Sequence, residues 1–159
     1  MRAVPKLCPC TSGRPYAACC APLHRAEREA ESPQVLVRAR YAAFATGDAE
    51  YLWRTLHPDH EDRARDRGEV QRSIEATARA LRFMRLTILE ARDARVLFLA
   101  GVFDRGRDRS FAELSTFGRD GAAWRYRAGE ALWQVDAKVA SGWTFESFET
   151  AMRSRTPAD

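Results

Sequence analysis

Four cysteines, Cys8, Cys10, Cys19 and Cys20, are the only cysteines in this 159-residue chain. They stand in the segment CPCTSGRPYAACC, with the spacing C-x-C-x8-C-C. Thiolates are soft ligands, and four of them complete a tetrahedron around Zn2+. Such a set leaves no open coordination position, so the metal it implies is structural rather than catalytic. Each close pair supplies one arm of the site, and Gly13 permits the reversal between them, where a β-carbon would obstruct. The segment carries few large apolar side chains (Leu7, Tyr16, Leu23), so its folding free energy has to come from the metal. On this reading, replacing Cys8 and Cys10 by Ser releases the metal and leaves the rest of the chain folded. A bond between adjacent Cys19 and Cys20 would be a strained vicinal disulfide. His24, four residues beyond Cys20, is an alternative ligand that a full cysteine set makes unnecessary.

The rest of the chain has to position this segment. Three regions are expected: residues 1–31 around the cysteines, an α+β domain over 32–142, and a helix with a tail over 143–159. Ser32-Pro33 forms a helix start, followed by Leu36, Val37, Arg40, Tyr41 and Phe44 at helical spacing and a stop at Gly47. Asp48 caps a second short helix that Pro58 ends. A third helix is expected over 69–81, with Val70, Ile74, Ala78 and Leu81 on one face. The period then changes. Met84, Leu86 and Ile88 alternate, and Val96 to Phe103 is apolar on both faces, as a central strand is. Strands follow over 111–117 and 124–135, with turn signals at Gly106 and Asp120-Gly121. Helices packed on one face of a four-stranded antiparallel meander define the α+β class. The final segment places Phe145, Phe148 and Met152 on one helix face. That face docks on its own domain or forms an oligomer surface.

Composition bounds the function. Apolar residues make up 45% and charged residues 30%, which is globular. No apolar run is long enough for a membrane span, and the N-terminus has no apolar signal core, so a cytoplasmic protein without membrane insertion is expected. Clustered thiols in such a chain favour metal over disulfides. The formal charge is +4, with 24 arginines among 26 basic residues. These are interleaved with acids, as over residues 61–67, which reads as a solvated surface rather than a nucleic-acid stripe. Four thiolates and one zinc ion lower the net charge to +2, weakening the pull on anions further.

The cysteine segment resembles the SEC-C motif, the small zinc motif found at the C-terminus of the SecA translocase motor, in the variant that ends in Cys-Cys. LVRARYAAFATGDAEYLWRTLHP, residues 36–58, resembles the helical block that follows this motif in the bacterial YchJ-like family. FAELSTF (111–117) and WRY (124–126) resemble that family's later strands. The resemblance implies a nuclear-transport-factor-2-like domain, a curved antiparallel sheet wrapped on helices to form a cone. Many members of the family carry a second SEC-C motif at the C-terminus, whereas no cysteine follows Cys20 here.

A cone of this kind implies a pocket between sheet and helices. Arg38, Arg40, Tyr41, His57 and Glu113 are its candidate polar groups. Glu113 shares the alternation of Phe111 and Phe117, so it faces inward with them, and Arg40 or His57 would be its partner. His57 with Glu113 could serve as an acid/base pair; a structural ion pair explains the same residues. No nucleophile elbow, phosphate loop or metalloprotease helix occurs, and no catalytic residue is assigned. The leading expectation is a non-enzymatic zinc-binding protein whose knuckle contacts a protein or ribonucleoprotein partner, with Lys6 and Arg14 on its face. A small-molecule-binding or weakly catalytic pocket with Glu113, His57 and Arg40 is the first alternative. Nucleic-acid binding through the knuckle and arginines is the second.

Overall fold

The computed structural model describes residues 3–155; residues 156–159 of the expected tail lie outside them. Local sequence sets the helices. In α2, Pro33–Thr46, the Ser32 hydroxyl accepts from the Val35 N–H at 3.2 Å, and the helix ends at Gly47. In α3, Ala49–Arg54, the Asp48 carboxylate accepts from the Tyr51 N–H at 3.0 Å. α4, Arg67–Ala80, begins two residues earlier than its apolar spacing implied, because Asp66 caps it through the Glu69 N–H. α1, Ala21–His24, is a single turn that leads out of the cysteine segment.

The sheet comprises β1 (Arg82–Arg92), β2 (Arg95–Asp104), β3 (Arg107–Asp108), β4 (Phe111–Asp120) and β5 (Ala123–Trp133). Its path is the expected antiparallel meander, in the order β1-β2-β4-β5, with β3 a two-residue arm paired to the end of β2. Two-residue turns close the hairpins at Asp93-Ala94, Arg105-Gly106 and Gly121-Ala122. The first of these carries no glycine. Asp93 takes the left-handed conformation (φ 54°) that short Asp side chains tolerate.

β2 alternates strictly, and each parity has its own core. Val96, Phe98, Ala100 and Val102 pack with α2, α3 and the cysteine segment. Leu97 and Leu99 point the other way and join Ala112, Leu114 and Leu132 beneath α6, Phe145–Arg155, which follows the single turn α5, Ala137–Ala140. Helices therefore cover both faces of the sheet, not one. α6 is fastened by the Phe145 N–H donating to Glu90 at 2.6 Å and by an Arg95–Glu149 ion pair at 2.8 Å. Phe145 and Phe148, the candidate oligomer face, are buried on the chain's own sheet. Among the described residues no helix is long and apolar enough to cross a membrane.

Phe148 is fully buried. Phe148→Ala should therefore destabilise the protein by about 3–5 kcal/mol through lost burial and a residual cavity. Urea denaturation checks this; a loss near zero would show that α6 adds nothing to the core.

Candidate metal centre and domain cavity

The cysteine segment folds as a tight hairpin. The Cys8 N–H donates to the Arg14 carbonyl at 2.9 Å, and the Tyr16 N–H donates to the Lys6 carbonyl at 2.9 Å. The reversal places Thr11 (φ 62°) and Gly13 (φ 82°) in the left-handed region, and glycine takes the second of these without steric cost. A 3-10 turn, Tyr16–Ala18, then delivers Cys19 and Cys20 back to the first pair. The four Sγ atoms lie within 4.8 Å of one another. Cys10 Sγ is 3.6 Å from Cys19 Sγ, and Cys19 Sγ is 3.9 Å from Cys20 Sγ. Metal–sulfur bonds of about 2.3 Å in a tetrahedron require sulfur–sulfur edges of about 3.8 Å. The cysteines are all free thiols, and Cys8, Cys10 and Cys20 are buried. This donor set fits a closed tetrahedral metal site.

Protonation supports the fit. Hydrogen bonds from the Cys20 and Cys8 thiols hold Cys10 well below the ordinary thiol range. The same contact with Cys10 pushes Cys8 up to about 11, and it raises Cys20 as well. The protein alone thus favours one thiolate among these three, while a divalent cation would stabilise four. His24 is not available as a ligand. Its Nδ1 accepts from the Tyr16 hydroxyl at 2.6 Å, and its Nε2 donates to the Ala39 carbonyl at 2.8 Å.

The hairpin is not an independent appendage. Cys8, Cys10, Cys20 and Leu23 belong to the same apolar cluster as Leu36, Val37 and Tyr41 of α2, Leu86 of β1 and Phe98 of β2. The Thr11 hydroxyl donates to the Leu86 carbonyl at 3.2 Å and accepts from its N–H at 3.0 Å, satisfying part of the β1 edge. Arg38 donates to the Cys10 carbonyl at 3.1 Å. The cysteine segment thus shares contacts with the α+β domain that its own short sequence did not announce.

A cavity of about 310 Å³ lies between the sheet and the helices. Arg40, Tyr41 and Glu113 line it, whereas Arg38 and His57 do not. Arg38 is two residues from Arg40, about 200° around the helix, and so faces the cysteines. His57 is buried at the β4–β5 end of the sheet. Its Nε2 donates to the Arg119 carbonyl at 3.2 Å, and its Nδ1 accepts from the Asp59 N–H. Neither Arg40 nor His57 pairs with Glu113. The Glu113 Oε1 instead accepts from the Tyr126 hydroxyl at 2.7 Å and the Ser115 hydroxyl at 2.8 Å. A bulge that gives β5 one extra residue, at Arg127, turns Tyr126 onto the Glu113 face. A β-carbon on Gly129 would stand 2.2 Å from both Glu113 Oε1 and the Tyr126 hydroxyl, so only glycine leaves room for this contact. Tyr126, Ser115 and His60 were missed from sequence. The WRY alternation carried the signal for Tyr126, but the bulge that completes the arrangement has none.

A buried thiol cluster set into an α+β core defines a SEC-C motif protein with a nuclear-transport-factor-2-like domain. Residues 5–22 match the SEC-C motif, and residues 32–129 match the family described as the YchJ middle NTF2-like domain. The chain belongs to this YchJ-like family. A UPF0225 protein of Geobacter sulfurreducens is 30% identical over 128 residues, covering 79% of this chain and 80% of that relative. A UPF0225 protein of Deinococcus radiodurans is 61% identical over 54 residues, 34% of this chain and 42% of that relative's length. Among solved structures, a SEC-C motif containing protein from Rhodopseudomonas palustris superposes with a TM-score of 0.68 at 33% identity, covering 80% of this chain and 99% of that one. One from Psychrobacter arcticus, at 23% identity, shares the fold with a TM-score of 0.64, over 92% of this chain and 96% of that one.

Because the cysteines share the domain's core, Cys10→Ser should abolish stoichiometric metal binding and lower the unfolding midpoint by at least about 5 °C. Elemental analysis with thermal unfolding checks both. An unchanged midpoint would show that the hairpin folds separately.

Proposed function

We propose that this protein is a non-enzymatic interaction module in which one structural Zn2+, held by Cys8, Cys10, Cys19 and Cys20, fixes a contact surface for a protein or ribonucleoprotein partner. The observation that carries the reading is the closed thiolate set, which offers a metal rigidity and no open position for chemistry. Zinc is favoured because closed four-cysteine tetrahedral sites are characteristic of structural zinc. Four free thiols fit a reducing, cytoplasmic setting.

The outer side of the hairpin supports the interaction role. Val4 and Leu7 are 91% and 62% exposed, flanked by exposed Lys6 and Arg14. Residues 3–26 contain three basic residues and no acid. An apolar pair in a basic frame suits a partner surface with an apolar socket and an acidic rim. Direct nucleic-acid binding is less favoured, since several arginines outside the hairpin are paired with carboxylates, as in Arg125–Glu29, Arg127–Asp59 and Arg67–Glu50.

Purified protein should contain about one equivalent of zinc, and iron or no metal would overturn the assignment. The double variant Lys6→Glu with Leu7→Ser should keep that zinc while losing partners captured by the wild type in a cross-linking pull-down. Equal capture by both would remove the contact surface from this face.

A further inference from the structure

Arg40, Glu61, Asp62 and Glu113 line the cavity between sheet and helices, and among the described residues none of these acids bonds directly to Arg40. Arg40 donates from Nη1 to the Leu52 carbonyl at 2.9 Å and to the Thr55 hydroxyl at 2.7 Å. The other edge of its guanidinium, Nε with Nη2, makes no hydrogen bond among the described residues, and no carboxylate lies within ion-pair distance. That edge is the planar fork that grips a carboxylate with two parallel bonds. Burial already disfavours its charge. Glu113 Oε1 accepts from Tyr126 and Ser115, and Oε2 has no hydrogen-bond partner among the described residues. Between the two stands the Tyr126 ring, with the guanidinium 4.5 Å above its centre and its hydroxyl bonded to Glu113. A single aromatic ring therefore separates a free anion-binding fork from a free acceptor oxygen.

The walls complete the picture. Phe44, Phe83, Phe98, Phe111 and Phe117 line the cavity and supply aromatic surface. Tyr41, only 5% exposed, has a hydroxyl that makes no well-formed hydrogen bond among the described residues, its polar contact being with the Arg85 backbone. A buried orphan hydroxyl is costly unless something completes it. The volume of about 310 Å³ is at the small end of ligand sites and roughly twice the about 150 Å³ that holds one benzene in an engineered apolar cavity.

We propose that this cavity binds a small aromatic acid bearing a hydroxyl or amine on its ring. The carboxylate lies in the Arg40 fork, the ring lies among the phenylalanines, and the ring's donor meets Glu113 Oε2. An anion at Arg40 neutralises a buried cation, which an uncharged ring cannot do. The donor is required because a ligand without one leaves the Glu113 oxygen desolvated and unpaired. This site is separate from the metal and stands whether or not the hairpin has a partner.

Ligand-observed NMR with 4-hydroxybenzoate, benzoate and phenol on the intact metal-loaded protein tests it. 4-Hydroxybenzoate should bind with Kd below about 1 mM, which is modest for a ligand of about ten non-hydrogen atoms. Benzoate and phenol should each bind at least about ten-fold more weakly. Glu113→Gln keeps an oxygen for Tyr126 and Ser115 but turns Oε2 into a donor. It should bring the affinities of 4-hydroxybenzoate and benzoate within about three-fold of each other. Ile74→Trp, which fills the cavity from α4, should remove binding of all three while leaving the fold intact. Absence of 4-hydroxybenzoate binding to folded wild type at about 1 mM, or binding that Glu113→Gln leaves unaltered, overturns the proposal.

Discussion

Sulfur atoms drawn within 4.8 Å of one another inside an apolar core set the terms for the rest of this molecule. Thiols at that spacing compete for protons: Cys10 is favoured as the thiolate while Cys8 is pushed to about 11. A divalent cation would remove the competition, because it would replace the protons and compensate the buried charge. The surroundings are organised to hold that point in place. Thr11 closes the β1 edge, Arg38 reaches down from α2, and His24 links the Tyr16 hydroxyl to the Ala39 carbonyl. A segment of mostly small side chains thereby becomes part of the wall of a larger core.

The sheet shows how a second constraint is met. A central strand that is apolar on both faces needs cover on both, and the helices before it in sequence can supply only one. α6 supplies the other through Phe145 and Phe148. Its apolar face is thus consumed within the chain, so the exposed apolar groups on the hairpin, Val4 and Leu7, weigh more in reasoning about partners.

Legibility in the sequence tracks how local each cause is. The Ser32 and Asp48 caps, the two-faced β2 and the inward parity of Glu113 follow from neighbours within a few residues, and each is present in the structure. The cysteines could be read as one cluster because spacing and ligand type are local as well. The partners of Glu113 could not. Tyr126 reaches it only because of a bulge in β5 and an absent side chain at Gly129, and neither leaves a periodic trace. His57 lies outside the cavity for a related reason. Its backbone N–H bonds to the Tyr126 carbonyl, which sends the ring toward Arg119, while His60, three residues on, lines the cavity. Arg38 lies outside the cavity because two residues of helix rotate a side chain to the opposite face, where it meets the Cys10 carbonyl.

That rotation makes α2 the element both sites share. Arg38 bonds to the loop that holds Cys10, the Ala39 carbonyl accepts from His24, and Arg40 and Tyr41 turn into the cavity. Four consecutive residues thus fasten the hairpin on one side and shape the cavity on the other. A helix of 14 residues packed on a sheet moves as a rigid unit, so its position cannot be set separately at its two faces. Whatever orders the cysteines also fixes where the Arg40 fork stands relative to Glu113, which is carried by the sheet. The cysteine cluster is therefore more than a local staple. It is one of the contacts that determine the width of the cavity, through a helix whose opposite faces are occupied by the two.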